Sequence, residues 1–400
     1  MNEFNILFLG CFYPHYCLED ILTNTKGKCQ FAADKLQWAL IDGFIQNEVN
    51  LELLSFPVIS TYPVGYKKIY FRGGNFVYKD IKGYCASFLN LPFIKFFCDD
   101  LSAKIKKWYF STSGKKCLFV YSLQVNLMRV ALKMKKKFPD LHLCIIIPDL
   151  PEYMGCSKFY KFVGARKVEI DFIYNNINKF DSFVLLSKHM VDKLNIQHSR
   201  YTVVEGIFSG EIKLPINKLE QKEKVILYTG NINRKYGIKE LVDAFMQIPG
   251  LEYRLWIRGD GELMKYVIEK SRVDMRIKYL AKVTQDELVL LQQKATLLIN
   301  PISNKEEITK YFFPSKTMDY LASGTPTLMY RLECLPQEYT DYLYFIPNGG
   351  IDAIKEAIIK VCEKSPIELE ILAKSAADFI IKYKNPRLQV LKILNVINSN

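Results

Sequence analysis

The sequence lacks several features that would assign it to a class at once. No window approaches about 18 uninterrupted apolar residues, so no segment is expected to cross a bilayer. The first stretch, MNEFNILFLG, has neither the basic start nor the long apolar run of a signal peptide. The ten cysteines have no paired spacing and match no metal-ligand pattern. These absences predict a reduced, cytoplasmic protein without a disulfide framework.

Acidic residues are too few to balance the basic ones, and the formal net charge is +13. The excess lies mostly in residues 1–220, where 29 Lys and Arg face 20 Asp and Glu. This imbalance predicts an anionic partner, which would be a phosphorylated substrate, an anionic membrane surface or nucleic acid. Nucleic acid is disfavoured because no nucleic-acid-binding module is recognisable.

Residues 104–137 combine basic and aromatic side chains. Lysines at 104, 106 and 107 are followed directly by the aromatic run 108–110. Such a mixture can contact an anionic lipid surface, at about 1 kcal/mol per cation, and the inner face of the cell membrane is therefore an expected location. The alternative is that the aromatics pack inward and the lysines are solvated.

Apolar runs typical of buried strands alternate with amphipathic helical patterns along the whole chain. This alternation predicts an α/β fold with two Rossmann-like, doubly wound domains and a cleft between them. The polar stretch 211–223 contains Pro215 and reads as a linker. The predicted domains are 1–210 and 224–375. The strands expected in them are 4–10, 141–147, 183–187, 201–206, 224–230, 253–259, 277–281 and 295–301, with helices at 31–45 and 123–138 in the first domain.

The stretch FFPSKTMDYLASGTPTL, residues 312–328, carries polar chemistry where a strand turns into a helix. Ser315 is placed to cap the helix, and Gly324 with Pro326 ends it. Capping does not explain Lys316, because a cation in the first turn opposes the helix dipole. A bound anion would reverse that sign, and Asp319 could then accept hydrogen bonds from ribose hydroxyls. A capped core helix and an anion site are the two interpretations.

Two further loops follow strands of the same domain. GNINRKYG, residues 230–237, offers glycines and cations that suit a phosphate, or it is a plain strand-to-helix turn. GDGEL, residues 259–263, is a tight turn whose G-x-G is weak evidence for a ligand. Both loops are expected at the same edge of the sheet as the 315 helix. The residues concerned are Gly230, Asn231, Arg234, Lys235, Gly259 and Gly261.

Residues 224–330 resemble the donor-binding domain of retaining, GT-B-fold glycosyltransferases of family 4, a group that acts in bacterial surface-polysaccharide synthesis. The family's most specific mark is a glutamate, seven residues, a second glutamate, and then a helix end of the form small–Gly–x–Pro. Asp319 and ASGTP match the second half of this mark, whereas Tyr311 stands where the first glutamate is expected. The family also has Arg and Lys where this sequence has Asn231 and Tyr236.

The resemblance implies roles for these positions. Lys316, Ser315 and one of Arg234 and Lys235 would bind the donor diphosphate, with Gly230 and Asn231. The nucleoside would contact Gly259, Gly261, Asp319 and the main chain of 282–284, while Tyr311, Phe313 and Pro314 would lie at the donor sugar. In segment 282–284, the residues expected to contact the nucleoside are Lys282, Val283 and Thr284.

In the first domain, Asp149 follows a buried strand in IIIPDLPEYM, where the family often has a His-Asp pair. The resemblance implies acceptor alignment for Asp149, whereas a turn-forming Asp between two prolines is the alternative. The long loop from Gly10 to Gly27 would approach the acceptor, with Gly10 and Lys26 in it. The C-terminal helix from about 376 would pack back on the first domain.

The predicted function is transfer of a sugar from a nucleotide-diphospho-sugar to a saccharide or lipid-linked saccharide, with retention and without a metal or other cofactor. A nucleotide-sugar 2-epimerase of the same fold is one alternative, although it would need several carboxylates around the sugar. A nucleotide-sugar-binding protein without catalysis is another, given Tyr311.

Overall fold

The computed structural model describes residues 4–27, 29–92, 94–96, 99–155, 164–197, 200–210, 223–281 and 283–398. The chain forms two compact units, which are Met1–Ile207 with Pro386–Asn400, and Phe208–Asn385. Lys282 and nearly all of the predicted linker, 211–222, lie outside the described residues. Among the described residues, no helix is long and apolar enough to cross a membrane.

The first unit is built on an eight-stranded sheet of order β10-β9-β8-β7-β1-β2-β5-β4. All neighbours are parallel except β4 and β5, which form an antiparallel hairpin at the edge. A separate short pair, β3 and β6, lies outside this sheet. The strands are β1 Phe4–Gly10, β2 Leu51–Ser55, β3 Tyr70–Phe71, β4 Gly74–Tyr78, β5 Ile81–Cys85, β6 Phe88–Leu89, β7 Lys115–Tyr121, β8 His142–Ile147, β9 Ser182–Leu185 and β10 Tyr201–Val203.

Helices connect the parallel strands of this unit, and their apolar faces cover the sheet. In the helix Val125–Lys137, residues Leu127, Ala131 and Met134 recur at helical spacing and are buried. Its three terminal lysines, 135–137, lie where cations favour the helix dipole. The helices are α1 His15–Asn24, α2 Phe31–Gln46, α3 Asp99–Ser111, α4 Val125–Lys137, α5 Ala165–Asn176 and α6 His189–Lys193.

The second unit is built on a six-stranded, wholly parallel sheet of order β13-β12-β11-β14-β15-β16. The central strands β11, β14 and β15 are buried over most or all of their length, because helices cover both sides of a doubly wound sheet. The strands are β11 Lys224–Asn231, β12 Tyr253–Asp260, β13 Ile277–Leu280, β14 Leu297–Asn300, β15 Thr327–Tyr330 and β16 Tyr344–Ile346, and the helices are α7 Ile238–Phe245, α8 Met264–Val273, α9 Gln285–Lys294, α10 Lys316–Ala322, α11 Ile351–Cys362 and α12 Pro366–Tyr383.

The return to the first unit occurs later than the sequence predicted. The predicted boundary at 375/376 falls inside α12, which stays in the second unit. The chain returns only with α13, Pro386–Asn398, which packs on α2 of the first unit. A Cβ on Gly43 of α2 would lie 2.4 Å from the Pro386 carbonyl oxygen, so the absence of a side chain allows this close approach. Lys384 and Asn385 separate α12 from α13, which begins at Pro386, because a proline cannot continue a preceding helix.

Candidate functional site

The candidate site lies at the carboxyl edge of the second unit's sheet, where β11 and β14 are neighbours. The chain continues from β11 outward to β12 on one side, and from β14 outward to β15 on the other. In open α/β sheets, ligands bind at such a reversal of strand order. The strand ends there are Gly230–Asn231 on β11 and Asn300 on β14.

The central side chain of the site is Lys316, the first residue of α10. Its Nζ donates a hydrogen bond of 2.9 Å to Tyr228 Oη and lies 4.0 Å from the centroid of the same ring. The Tyr236 ring centroid is 5.8 Å from Nζ. Removal of the ammonium from water lowers the pKa of Lys316 to about 7. No carboxylate forms an ion pair with it among the residues that the structure describes.

Gly230 makes room for this lysine. A Cβ on Gly230 would lie 2.9 Å from Lys316 Nζ and 3.3 Å from its Cε, and the residue has a φ of +138°. Both the space and the backbone conformation therefore favour glycine at this position. The glycine and the lysine predicted for the diphosphate thus lie together.

Tyr228 and Tyr320 fix the carboxyl end of β11 against its surroundings. The Tyr228 hydroxyl donates to the Asn231 carbonyl oxygen at 2.7 Å, besides accepting from Lys316. The Thr229 N–H donates to Tyr320 Oη at 2.8 Å, and the Tyr320 hydroxyl lies 3.1 Å from the Thr229 carbonyl oxygen. Burial raises the pKa of Tyr228 well above its usual value, so the phenol stays neutral.

Several buried polar atoms at these strand and helix ends have no hydrogen-bond partner in the described part of the chain. They are Asn231 Oδ1, both side-chain polar atoms of Asn300, and Thr317 Oγ1. Asn300 is 1% exposed and Thr317 is fully buried. Because buried polar groups normally have partners, this group favours a polar ligand or water at the switch point.

Ser315 does not cap α10, which corrects the sequence-based prediction. Its backbone is already helical, at φ −53° and ψ −32°, and its side chain makes no capping hydrogen bond. The hydroxyl is exposed beside Lys316. The predicted end of the helix is confirmed, since α10 stops at Ala322 and Gly324 has a φ of +70°.

The loop GNINRKYG forms a short 3-10 helix, Arg234–Tyr236, with both cations exposed. It is tied to the GDGEL turn in both directions. The Arg234 N–H donates to Glu262 Oε1 at 2.8 Å, and the Glu262 N–H donates to Asn233 Oδ1 at 2.9 Å. Lys235 Nζ lies 5.2 Å from the Tyr236 ring centroid, the ring that Lys316 also approaches. Lys235 and Lys316 therefore both approach the ring of Tyr236.

Gly259 and Gly261 are explained by packing. A Cβ on Gly259 would lie 1.7 Å from the Gly230 carbonyl oxygen, and one on Gly261 would lie 2.4 Å from the Ile232 carbonyl oxygen. The two glycines allow the loops after β11 and β12 to touch. Their predicted nucleoside contact stays a prediction.

Thr284 caps α9. Its side chain accepts from the Glu287 N–H, and the Glu287 carboxylate accepts from the Thr284 N–H, which completes a capping box. The neighbouring Val283 carbonyl oxygen accepts from Arg258 Nη2 at 3.4 Å. The local structure therefore accounts for the Thr284 side chain, which forms the capping box with Glu287.

The remaining predicted donor residues surround α10. Asp319 is half-buried, one turn after Lys316. Tyr311 is half-buried and donates to Glu307 Oε1 at 3.3 Å. Phe313 is a core residue whose ring lies 5.5 Å from that of Tyr339, and the Pro314 carbonyl oxygen accepts from the Thr317 N–H. For Phe313, only the main chain remains for a ligand.

In the first unit, Asp149 lies just past the carboxyl end of β8, as predicted, and is exposed. Its charge acts on buried Tyr121 at the end of β7, and burial is the main reason why the pKa of that phenol is raised. Gly10 ends β1, where a Cβ would lie 2.5 Å from Gln37 Oε1. Packing therefore explains Gly10.

The segment after Gly10 was predicted to be a loop, and the structure corrects this. Residues His15–Asn24 form α1, with Cys17 and Ile21 buried against the unit. Lys26 follows α1 and its Nζ donates to the Pro63 carbonyl oxygen at 2.8 Å, which ties it to a neighbouring turn. The helix was missed because no capping side chain precedes it, only Pro14.

The basic and aromatic segment 104–137 divides between core and surface. Trp108 is buried, so the packing interpretation is right for that ring. Phe110 is 73% exposed and meets Phe138 edge-on, while Tyr109 stacks on Phe138 at 3.9 Å. Lys116 Nζ is 4.7 Å from the Tyr109 centroid, and Lys137 Nζ is 5.6 Å from the Phe138 centroid. We call these five residues, Tyr109, Phe110, Lys116, Lys137 and Phe138, the aromatic–lysine patch.

Residues 211–379 match the family model described as Glycosyl transferases group 1. The matched segment falls within the second compact unit, which carries the lysine site. The second unit is similar to Glycosyl transferases group 1 domains, and we call it the group 1 domain. The resemblance predicted from the sequence is thereby confirmed. No curated protein sequence matches the chain at a significant level.

Solved structures extend the likeness from the group 1 domain to the whole chain. Sucrose-phosphate synthase from Thermosynechococcus elongatus is 13% identical over 99% of this chain and 98% of its own, with a TM-score of 0.66. HepE of Anabaena in complex with UDP is 14% identical over 99% of this chain and 100% of its own, with a TM-score of 0.65. The lipopolysaccharide outer core galactosyltransferase WaaB is 17% identical over 99% of both chains, with a TM-score of 0.63. At these identities the likeness shows the fold, and the predicted GT-B class is confirmed.

Sequence reasoning missed the aromatic partners of the group 1 domain's lysine. Tyr228 follows the aliphatic residues VIL in KVILYTG and directly precedes Thr-Gly. The contrast between this tyrosine and the aliphatic residues before it was the available signal. It also missed Asp34, at the amino end of α2 in the first unit. The Tyr13 N–H donates to Asp34 Oδ1 at 2.7 Å, and burial raises the pKa of this carboxyl.

Proposed function

We propose that this protein transfers a sugar from a nucleotide-diphospho-sugar to a saccharide or a lipid-linked saccharide in surface-glycan synthesis. The group 1 domain binds the donor at its switch point, and the first unit binds the acceptor. The observation that carries the proposal is Lys316. Its ammonium is withdrawn from water beside Gly230, and the described residues provide it with no carboxylate. A half-buried cation without a protein counter-charge favours an anionic ligand.

The chemistry is substitution at the anomeric carbon. The bond from that carbon to the diphosphate oxygen breaks, the acceptor hydroxyl oxygen forms the new bond, and its proton passes to a base. Negative charge grows on the departing nucleoside diphosphate, and Lys316 with Lys235 or Arg234 stabilises it. Retention of configuration follows from the family resemblance, and independence of metal ions follows from the protein cations that can neutralise the diphosphate; both are part of the proposal. Asp149 aligns the acceptor.

Two relatives support the donor and the pathway class. HepE of Anabaena is described in complex with UDP, and WaaB is described as a galactosyltransferase of the lipopolysaccharide outer core. A uridine diphospho-sugar is therefore the first donor to test, and a surface glycan is the acceptor class to expect.

A thermal-shift series tests the donor site. UDP, GDP, ADP and their common sugars are added to wild type, Lys316→Ala and Lys278→Ala. Lys278 is an exposed lysine of β13 in the same domain, so it controls for the loss of one charge. A ligand at a hundred times its dissociation constant adds about 2.7 kcal/mol to the free energy of unfolding. We expect Lys316→Ala to lose most of the shift and Lys278→Ala to keep it.

Product analysis then decides between catalysis and its alternatives. Transfer to an acceptor glycan, with release of the nucleoside diphosphate, supports the proposed function. An altered sugar on the nucleotide would indicate the 2-epimerase, and ligand binding without any product would indicate a non-catalytic binding protein. If no nucleotide shifts wild type, the proposed function is wrong.

We also propose that the protein acts on the cytoplasmic face of the membrane, attached through the aromatic–lysine patch. An exposed phenylalanine between lysines suits a surface with an apolar interior and anionic headgroups. The patch is formed by the last turns of α3 and α4, by Phe138 directly after α4, and by Lys116 at the start of β7; α3 and α4 precede β7 and β8. It therefore lies at the amino end of these strands, away from Asp149 and Gly10 at their carboxyl end. Binding to anionic vesicles tests this attachment.

A further inference from the structure

Lys316 is held in an arrangement that proteins rarely give a lysine. Two phenol rings on two elements lie near its ammonium, with Tyr228 of β11 at 4.0 Å and Tyr236 of the 3-10 helix at 5.8 Å from Nζ to the ring centroid. The nearest carboxylate along its own helix is that of Asp319, one turn later on α10. The only direct hydrogen bond from Nζ within the described residues goes to the neutral phenol of Tyr228. The lysine therefore depends on one hydroxyl for its position.

The Tyr228 hydroxyl is itself fixed. It donates to the Asn231 carbonyl oxygen at 2.7 Å while it accepts from Lys316 at 2.9 Å, so both of its hydrogen-bonding functions are used. The ring is fully buried. An acceptor that cannot rotate away directs Nζ toward the gap above Gly230, where a Cβ would be only 2.9 Å from it.

We propose that Tyr228 is a positioning residue of the donor site, which holds the Lys316 ammonium over Gly230 without a protein counter-charge, so that the donor diphosphate binds together with a proton. This inference rests on the proposed function and adds a residue and a proton linkage to it. The proton goes to Lys316 Nζ from solvent, and the diphosphate supplies the negative charge that keeps it there.

The sign of the linkage follows from the free and bound states. In the empty site, desolvation lowers the pKa of Lys316 to about 7, so the lysine is charged at pH 6 and mostly neutral at pH 8.5. A diphosphate at hydrogen-bonding distance favours the charged form and raises this pKa. Donor binding therefore takes up no proton at pH 6 and close to one proton at pH 8.5, and the affinity falls as the pH rises.

Calorimetric titration with UDP-glucose tests the inference, with GDP-mannose and ADP-glucose as further probes. The diphosphate of these donors does not itself titrate between pH 6 and 8.5. Each titration is run at both pH values in two buffers of different ionisation enthalpy, which gives the number of protons taken up. For wild type we expect uptake only at pH 8.5, with an affinity at least about tenfold lower there than at pH 6.

Four variants separate positioning from general stability. Tyr228→Phe should weaken binding by roughly tenfold more at pH 8.5 than at pH 6, because loss of the acceptor disfavours the ammonium. Lys316→Arg keeps its charge at both values and should bind without pH dependence. Lys316→Met should bind weakly at both. Tyr253→Phe is the matched control, since its hydroxyl bonds Glu363 at the amino end of β12, and it should behave as wild type.

The outcomes distinguish this inference from the proposed function. If Tyr228→Phe lowers the affinity for the nucleotide sugar by the same factor at both pH values, the tyrosine is only structural and the inference is wrong. The inference also fails if wild type shows no proton uptake while Lys316→Met loses binding, although the donor site then stands. If none of the three nucleotide sugars binds wild type at either pH, the proposed function and the inference fall together.

Discussion

At the scale of single residues, the candidate site of the group 1 domain contains polar and charged side chains without the protein partners that usually neutralise or hydrogen-bond them. Lys316 has a phenol where a carboxylate would cancel its charge, and Asn300 and Thr317 have buried polar atoms without partners among the described residues. Each of these costs free energy in the empty protein. An anionic, hydrogen-bonding ligand recovers that cost, which is the physical basis for a selective site.

Glycine has a comparable role in the backbone beneath the site, and Gly259 makes the clearest prediction. A methyl group there would meet the Gly230 carbonyl oxygen at 1.7 Å, and two neighbouring strand ends would have to separate. We expect Gly259→Ala to lower the free energy of unfolding by about 3 kcal/mol or more. Chemical denaturation with and without UDP measures both stability and ligand binding.

Gly27→Ala is the matched control for this change. Gly27 is exposed, no atom lies within 4 Å of the position that its Cβ would take, and its φ lies outside the left-handed region. It should leave stability nearly unchanged. Equal behaviour of the two variants would show that the loops after β11 and β12 are not packed as the structure describes.

The sequence predicted these residues unevenly, for a physical reason. Lys316 could be found because a cation in the first turn conflicts with a local rule, and Gly324 because it satisfies one. Tyr228 and Lys316 are 88 residues apart, and no local pattern joins them. The contact of Gly259 with Gly230 is likewise visible only once the strands are paired, and Ser315 was assigned to a cap that its helical backbone does not form.

At the scale of elements, periodicity predicted the long segments and failed for the irregular ones. The run FNILFLG is β1 and the stripe in 31–45 is α2, because burial of an apolar face decides both. The central strand β7 was missed, since it begins with two lysines, and α1 was missed for want of a cap. The hairpin β4–β5 has exposed Val77 and alternating burial, a weak pattern for an edge.

The helix α13 gives a prediction at this scale, because it completes the first unit although the whole second unit lies between them in the sequence. Ile393 is fully buried in the core of the first unit, whereas Leu391 on the same helix is 42% exposed. Ile393→Ala should lower the free energy of unfolding of the first unit by about 2–5 kcal/mol. Chemical denaturation, followed by a spectroscopic probe placed in the first unit, measures this loss.

Leu391→Ala removes a similar side chain from the same helix and serves as the control. It should change stability by less than about 0.5 kcal/mol. If the two variants were equally stable, α13 would not be part of the first unit's core, and the assignment of residues after 385 to that unit would be wrong.

At the scale of the whole molecule, the charge of +13 and the aromatic–lysine patch belong to one argument. Most of the excess charge lies in the half of the chain that carries the patch. In the first unit, the patch and the proposed acceptor residue Asp149 lie at opposite ends of the strands. A membrane bound at the patch would therefore leave this edge of the sheet accessible.

Vesicle co-sedimentation gives the prediction for the whole molecule. Wild type should bind vesicles that contain phosphatidylglycerol and not vesicles of phosphatidylcholine alone, and binding should weaken as salt rises from 0.1 to 0.5 M because the charges are screened at about 10 Å or less. Phe110→Ser should reduce binding several-fold, since it removes the exposed ring that enters the interface.

Val273→Ser is the control, because Val273 is 72% exposed but lies in the second unit, outside the patch. Binding that is equal in both variants would place the membrane contact elsewhere, and salt-dependent retention on DNA without vesicle binding would identify nucleic acid as the anionic partner.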